Sequence, residues 1–353
     1  MRLRRFDRLL VAGAFALAFG IVGGFFGHAL PLLDTLGQFR AHGSAVLVIL
    51  AVVLTIRRFH AAGFAALLAA GLGLYTVWPF MIPLSQTAEG TLPPSMPRYR
   101  LLQMNVRYDS NDKSKALDRI RQLDPDVVTV EEMTPGWEKA LRSLSDRYPY
   151  QSYCAPPERW GDVAILSRRP FVEGARETCL PRAGFEARVV DFDGHPVTVG
   201  SQHLRWPWPG RQWRQVDAIA EGLAALTTPA IIGGDFNAAP WSASVAAYAA
   251  AGGLRIVAGI GPTWGPNWLP SWLARWAGLP IDNVLVSREI LILSVSRPEA
   301  TSSDHLPVLV TFAIPFPKAA EPEVQSVERR PSGTSDASAG SPPKRAVAPH
   351  IVW

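Results

Sequence analysis

Residues 231–240 read IIGGDFNAAP: an apolar run, two glycines, then Asp235 and Asn237 one residue apart before a loop. Residues two apart on a strand share a face, so this carboxylate and carboxamide can point at one spot. Other polar residues stand where apolar runs stop. Asn105 closes LLQMN, Glu132 follows PDVVTVE, and His203 ends VGSQH. Asp282 opens DNVLVS, and Asp304-His305 precede LPVLV. Each has an ordinary explanation when taken singly. Asp and Asn after a strand are common turn residues. Glu132 can be a charge ahead of a helix start, with Glu131 competing for its place, and a lone His203 is often structural. Asp282 can cap a turn, and Asp304-His305 can be a polar loop. Six or seven such events at strand ends of one domain argue instead for a shared site. Three carboxylates with two carboxamides make an all-oxygen shell, which suits Mg²⁺ or Mn²⁺. Such ions keep water and take one or two carboxylates plus a substrate phosphate. Zinc would call for more His or Cys.

The elements that must position these residues alternate along the chain. Strands are expected over Tyr99–Val106, Asp126–Glu132, Asp162–Ser167, Ala187–Phe192, Pro196–His203, Ala230–Asp235, Ile281–Val286, Leu291–Ser296 and Pro307–Ala313. Asp193-Gly194 makes the pair around it a hairpin. Helices are expected over Lys113–Leu123, Thr134–Arg147, Arg211–Leu226 and Ala243–Ala251. Thr134 caps the second of these, with Pro135 at its first position. About nine strands exceed one sheet, so two packed sheets with outer helices are expected. Adjacent residues at a strand end diverge, so Asp304 and His305 should serve different partners.

In this order, LLQMNV, PDVVTVEEM, GDVAILSRRP, VGSQHL, IIGGDFNAAP, IDNVLVS and SSDHLPV resemble the endonuclease/exonuclease/phosphatase superfamily over residues 99–313. That superfamily includes DNase I-like nucleases, abasic-site endonucleases, inositol polyphosphate phosphatases and neutral sphingomyelinases. The resemblance implies an α/β fold, a four-layer α-β-β-α sandwich of two packed mixed sheets. It implies that Asn105 and Glu132 are the metal pair and Asp304 a further metal-side acid. Asp235 and Asn237 would orient water and hold the phosphate. His305 with Asp282 would form the Asp–His dyad, and His203 would be the second catalytic histidine. His305 is then the expected general base and His203 the donor to the phosphoryl oxygen or leaving group, with Asp235 an alternative base. The chain departs from the family pattern at Glu131, where a Gln often precedes the metal Glu.

Outside the match, three apolar runs crowd the N-terminus: Leu9–Leu33, Ala41–Ile56 and Ala61–Pro83. A spanning helix needs ~20 apolar residues. About three transmembrane helices are therefore expected in residues 1–84, the rival being a cleaved signal and a two-helix hairpin. Residues 1–60 carry seven Arg against Asp7 and Asp34, while the rest of the chain holds 28 basic and 28 acidic side chains. The excess sits at the N-terminus and at Arg57–Arg58, and such loops mark the cytoplasmic side. This predicts a multi-pass protein of the cell's inner membrane with its catalytic domain, residues 99–317, outside the cytoplasm. Residues 85–98 read as a polar, Pro-rich linker and 318–353 as a disordered tail. In an oxidising compartment Cys154 and Cys179 can form a disulfide or remain free thiols.

Three helices before such a domain also resemble bacterial membrane-anchored members, some of which act on lipid-linked phosphates. Trp206, Trp208 and Trp213 follow His203, and Trp264, Trp268, Trp272 and Trp276 run at four-residue steps before Asp282. Tryptophan prefers the membrane–water interface, so this rim is expected to dip into the bilayer and the substrate to be an amphiphilic phosphate ester. Core packing is the competing role for these residues. The expected partners are the lipid bilayer and a phosphate-ester substrate, lipid-linked or nucleic acid. The runner-up function is a nuclease on extracellular DNA or RNA, although the neutral catalytic region lacks the basic excess of such enzymes. A catalytically dead binding domain is a third reading, which the complete polar set opposes.

Overall fold

The structure, a computed structural model, describes residues 5–82, 96–154, 162–226 and 229–315. The expected tail 318–353 and most of the linker 85–98 lie outside the described residues.

The chain opens with α1 (Arg5–Gly23), α2 (Pro31–Gln38), α3 (Arg40–Ile56) and α4 (His60–Met81). The expected catalytic region follows as β1 (Tyr99–Asn105), α5 (Ser114–Leu123), β2 (Val127–Met133), α6 (Pro135–Arg142), β3 (Tyr150–Cys154), β4 (Asp162–Ser167), β5 (Thr178–Leu180), β6 (Phe185–Asp191) and β7 (Pro196–His203). It continues with α7 (Arg211–Ala224), β8 (Ala230–Asp235), α8 (Ala243–Ala251), β9 (Arg255–Ile256), α9 (Ser271–Ala277), β10 (Asp282–Val286), β11 (Leu291–Ser296) and β12 (Val308–Ala313). Two six-stranded mixed sheets result, ordered β11-β12-β1-β2-β4-β3 and β5-β6-β7-β8-β10-β9. Thr134 caps α6 as expected, its side chain accepting from the Trp137 N–H. That helix stops at Arg142 rather than Arg147.

Helices cover the outer faces. Leu102, Met104, Val128 and Val130 of the first sheet pack against Ala116, Ile120, Trp137 and Leu141 of α5 and α6. Phe185, Ile232 and Leu285 of the second sheet pack against Val216, Ile219 and Tyr248 of α7 and α8. The strands buried on both faces read as continuous apolar runs for this reason. The two glycines before Asp235 follow from closeness. A Cβ on Gly233 would meet Thr129 Oγ1 at 2.8 Å in the opposite sheet, and one on Gly234 would meet Gln202 O at 2.0 Å. A disulfide joins Cys154 on β3 to Cys179 on β5, the edge strands of the two sheets.

The N-terminal helices differ from the expected three runs. Two stretches, Arg5–Phe26 and His60–Met81, are long and apolar enough to cross a membrane. Among the described residues a third span arises if α2 and α3 count together, and they meet at a 67° bend. The first apolar run breaks because Pro31 starts a new helix instead of extending the old one. Arg57 pairs with Asp7, so the two basic segments lie at one end of the helical bundle. The catalytic region packs on the other end. Asp34 accepts from the Ala243 and Ser244 N–H groups at 2.7 and 3.2 Å. Gln38 accepts from the Ala239 N–H, and Trp241 Nε1 donates to Gly37 O at 2.8 Å. The carbonyls of Pro79 and Phe80 accept from Gly259 and Gly261. His42 Nε2 donates to Ala277 O at 3.0 Å.

Candidate active site

Register brings the site together. In the second sheet β7 and β8 are parallel with His203 opposite Asp235, and β8 and β10 are antiparallel with Asp235 opposite Asp282. Three strand ends thus place His, Asp and Asp side by side at ~4.8 Å strand spacing. In the first sheet β1 and β2 are parallel with Asn105 opposite Glu131.

A bulge sends the two glutamates in different directions. Pairing between β2 and β4 shifts between Glu131 and Met133, and Glu132 takes φ +61°. The bulge turns Glu132 toward the cleft, where its Oε2 accepts from the Tyr108 N–H at 3.1 Å. Glu131 points between the sheets, fully buried, taking bonds from Gln103 Nε2 (2.7 Å) and Ser201 Oγ (2.9 Å). Burial pushes its carboxyl well above the usual range. Gln103 also donates to Asp282 Oδ1 at 2.9 Å. Sequence reasoning missed this bridge, because a buried Gln inside a strand carries no local signal.

Asn105 Nδ2 donates to Glu132 Oε1 at 3.0 Å and to Asp235 Oδ2 at 2.9 Å, while its Oδ1 accepts from the Arg107 N–H. It ties the two sheets together at the cleft floor. Asn237 does not continue β8 as the strand spacing suggested. It sits beyond the strand end at φ +47°, in a turn closed by its own N–H donating to Asp235 Oδ1 at 2.8 Å. Its Nδ2 donates to Leu204 O. Left-handed backbone at two non-glycine site residues, Glu132 and Asn237, is the strain that functional sites tolerate.

Asp304 and His305 do serve different partners. Asp304 Oδ2 accepts from Trp264 Nε1 at 3.1 Å on the cleft wall. His305 Nδ1 lies 2.9 Å from Asp282 Oδ2, and its Nε2 is 3.8 Å from Asp235 Oδ2. His203 Nε2 is also 3.8 Å from that oxygen. The two histidines are driven apart in proton affinity. Burial holds His203 below its ordinary value. Burial would lower His305 too, but the Asp282 and Asp235 charges and the Asp282 hydrogen bond outweigh it and push His305 up to about 10. Burial pushes Asp235 up to about 8, against the opposing charge of His305.

Glu132, His203, Asn237, Asp304 and His305 line a cleft of about 790 Å³ with Trp206, Trp208 and Trp264, while Asn105, Asp235 and Asp282 are buried. Trp268, Trp272 and Trp276 do not line it. They stand exposed on and just before α9, and α9 ends against α3 through the His42 bond.

Glu132, His203 and Asp235 bring potential ligand atoms within 4.8 Å of one another, as do Asp235, Asp282 and His305. Carboxylates held this close repel unless a cation or proton lies between them. The oxygen-rich set, with one imidazole held neutral, fits a divalent cation. Asp304 stands outside both groups.

Residues 102–305 match the Endonuclease/Exonuclease/phosphatase family. The chain belongs to that family. Family members are hydrolases of phosphate esters and typically depend on a divalent metal. The chain is similar to a UPF0294 protein of Vibrio vulnificus (strain CMCP6), 28% identical over 146 residues, which are 39% of this chain and 47% of that protein. A second strain, YJ016, has a counterpart at the same identity. The chain thus matches about half the length of these curated relatives. Among solved structures, an endonuclease/exonuclease/phosphatase from Bacteroides vulgatus aligns with TM-score 0.51 at 15% identity, over 62% of this chain and all of that one. A family member from Beutenbergia cavernae DSM 12333 aligns with TM-score 0.46 at 19% identity, over 62% of this chain and 72% of that chain. The four-layer sandwich is the family fold.

Proposed function

We propose that the chain is a Mg²⁺- or Mn²⁺-dependent phosphoesterase, held in the inner membrane with its catalytic region on the extracytoplasmic face, that hydrolyses an amphiphilic phosphate ester. The observation that carries the hydrolase reading is the convergence of His203, Asp235 and the Asp282–His305 pair on neighbouring strand ends, facing Glu132 and Asn105 across the sheets. Glu132, with His203 or Asp304 beside it, would hold the metal. The bound ion would neutralise phosphate oxygens and sharpen the acidity of water. Asp235, raised above an ordinary carboxylate, is the base that takes the water's proton. This departs from the expected role of His305 as base. A histidine that keeps its proton at neutral pH suits donation from Nε2 to a phosphoryl oxygen, with Asp282 balancing its charge. His203, neutral, can pass a proton to or from the leaving group. Asn237 fixes Asp235 through the turn they share.

Support for the membrane side is geometric. Both basic segments lie at the bundle end away from the catalytic region. The three exposed tryptophans of the α9 region stand beside the start of α3 at the other end. Exposed aromatics beside an apolar bundle suit the headgroup layer. The test is the purified full chain in detergent, assayed with Mg²⁺, Mn²⁺ or EDTA on a lipid pyrophosphate, sphingomyelin and plasmid DNA in parallel. Metal-dependent cleavage of a lipid substrate supports the reading. Cleavage of DNA alone replaces it with the nuclease.

A further inference from the structure

A second groove, of about 700 Å³, opens off the catalytic cleft. Its rim holds Arg182, Arg205, Arg211 and Arg214, and its floor holds Leu180 and Ala218. Arg182, Arg205 and Arg211 are walls of both spaces. All four arginines are exposed. None of the four has an ion pair or a side-chain hydrogen bond with any described residue. By contrast, Arg107, Arg119, Arg142, Arg147, Arg168, Arg169 and Arg188 each face a carboxylate, and Arg255, Arg275 and Arg297 donate to backbone carbonyls.

Two of the four sit where a helix least wants them. Arg211 is the first residue of α7 and Arg214 is in its first turn. That helix has fourteen residues, Gly210 at its N-cap, no side-chain cap and no acid in the first turn. Cations at the positive end of a helix dipole are unfavourable, and the first N–H groups of the helix are left open. A chain keeps such an arrangement when an anion completes it. The groove is also tied to the chemistry. Gln215 Nε2 donates to His203 O at 3.0 Å, and Gln215 Oε1 accepts from the Arg205 N–H at 2.8 Å. The wall of the groove and the backbone of His203 are one hydrogen-bonded unit.

We propose that Arg182, Arg205, Arg211 and Arg214 form a subsite for a second, non-scissile phosphate group, so that the preferred substrates are phosphate esters bearing at least two phosphates. The proposal rests on the phosphoesterase reading of the adjoining cleft. Guanidinium forks take phosphate oxygens two at a time, and four of them around an open helix N-terminus outcompete water for a group of charge near −2. The near-neutral sum of charge over residues 99–317, 22 basic against 23 acidic side chains, hides this tract.

The test uses two nitrophenyl esters that differ by one phosphate: thymidine 5′-(p-nitrophenyl phosphate), and the same ester carrying a 3′-phosphate. The full chain with Mg²⁺ should prefer the 3′-phosphorylated ester by at least ~10-fold in kcat/KM, as expected for charge-assisted contacts. Arg211→Gln with Arg214→Gln should reduce that preference to within about twofold, mainly through KM. In a parallel titration without metal, inorganic pyrophosphate should change the tryptophan fluorescence of the wild-type chain and not of the double variant. Equal kcat/KM for the two esters in the wild type overturns the subsite. So does an equal loss on both esters in the double variant. Activation of both esters alike by anionic phospholipid vesicles, without a pyrophosphate response, overturns it in favour of a headgroup contact. Binding of single-stranded DNA that tightens steadily with length overturns it in favour of a nucleic-acid track. If neither ester is turned over but pyrophosphate binding depends on Arg211 and Arg214, the phosphoesterase reading fails while the anion subsite stands.

Discussion

Asp282→Asn isolates what the dyad contributes, because it changes charge and hydrogen-bond sense but almost no volume. Asp282 is fully buried and has both oxygens engaged: Oδ1 accepts from Gln103 and Oδ2 faces His305 Nδ1 at 2.9 Å. Gln103 Nε2 can only donate, so the new amide must turn its oxygen that way. Its NH₂ group then faces His305 Nδ1, which must become an acceptor. The ring proton is confined to Nε2, and the imidazole becomes neutral. The wild-type ring is charged because Asp282 and Asp235 overcome burial and push it to about 10. With Asp282 neutral, burial is left to dominate. A neutral donor replaces a cationic one at the phosphoryl oxygen. Removing such a donor outright costs ~2.7–4 kcal/mol of transition-state stabilisation, so neutralising it should lower kcat by about tenfold or more, up to that limit of about 10²–10³-fold. The sign of the pH effect follows. In the proposed mechanism the protonated ring is the working form, so the alkaline limb of kcat should move to lower pH in the variant. The assay is steady-state hydrolysis of bis(p-nitrophenyl) phosphate by the full chain at saturating Mg²⁺ across pH, with thermal unfolding of each protein as the folding control. A folded variant with kcat within threefold of wild type and an unmoved alkaline limb refutes the argument.

Glu132→Gln should cut activity by at least ~10² at limiting metal, since it removes a charge from the cluster, whereas Glu131→Gln should cost less because Glu131 lies between the sheets, bonded to Gln103 and Ser201 rather than facing the cleft; titrating activity against Mg²⁺ for both variants decides it. Replacing Trp268, Trp272 and Trp276 together with Ser should lower kcat/KM for a lipid phosphate ester in vesicles by at least ~10² while a soluble diester stays within about twofold, taking on the order of 1–2 kcal/mol per partitioned aromatic. Glu186, buried beside Ser152 and Arg188, is pushed by burial from 4.5 to about 7. Its folded-state affinity for the proton exceeds that of the unfolded chain, so its stabilisation is full below about pH 4.5 and is lost as pH rises through 7, in all about 3 kcal/mol. Glu186→Gln should therefore raise the unfolding midpoint at pH 8 by several degrees and leave it nearly unchanged at pH 4, measured calorimetrically.

The strand ends were legible because each motif is local. An apolar run followed by Asp, Asn or His says where a strand stops, and parallel and antiparallel pairing then aligns the stops. The edge strands β3, β5 and β9 were not read, since short edges take their conformation from a neighbour rather than from their own pattern. The turn at Asn237 and the bulge at Glu132 override the period-two rule, and only backbone pairing reveals them. The tryptophans of one sequence cluster divide in space: Trp264 enters the cleft, while Trp268, Trp272 and Trp276 face outward. The arginine groove joins residues 182, 205, 211 and 214 from two separate segments, and a summed charge near zero cannot show such a grouping.

The apolar N-terminus also carries more than hydropathy conveys. Asp34 is fully buried and takes two of the first N–H groups of α8, while Ser242 Oγ takes that of Val245. Gln38 is buried as well and takes the N–H of Ala239, two residues after Asn237. The loop that leaves the GDFN turn is therefore held on its far side by α2, through side chains that could not be buried without these partners. Gly210, which starts α7, lies against Pro31 of the same short helix: a Cβ there would be 3.3 Å from the proline ring. So α2 touches both segments that leave the catalytic strands β7 and β8. A helix serving only as a tether would have no use for a buried carboxylate and a buried carboxamide. Their burial makes the end of the N-terminal helical bundle part of the scaffold that fixes Asn237, and through it Asp235.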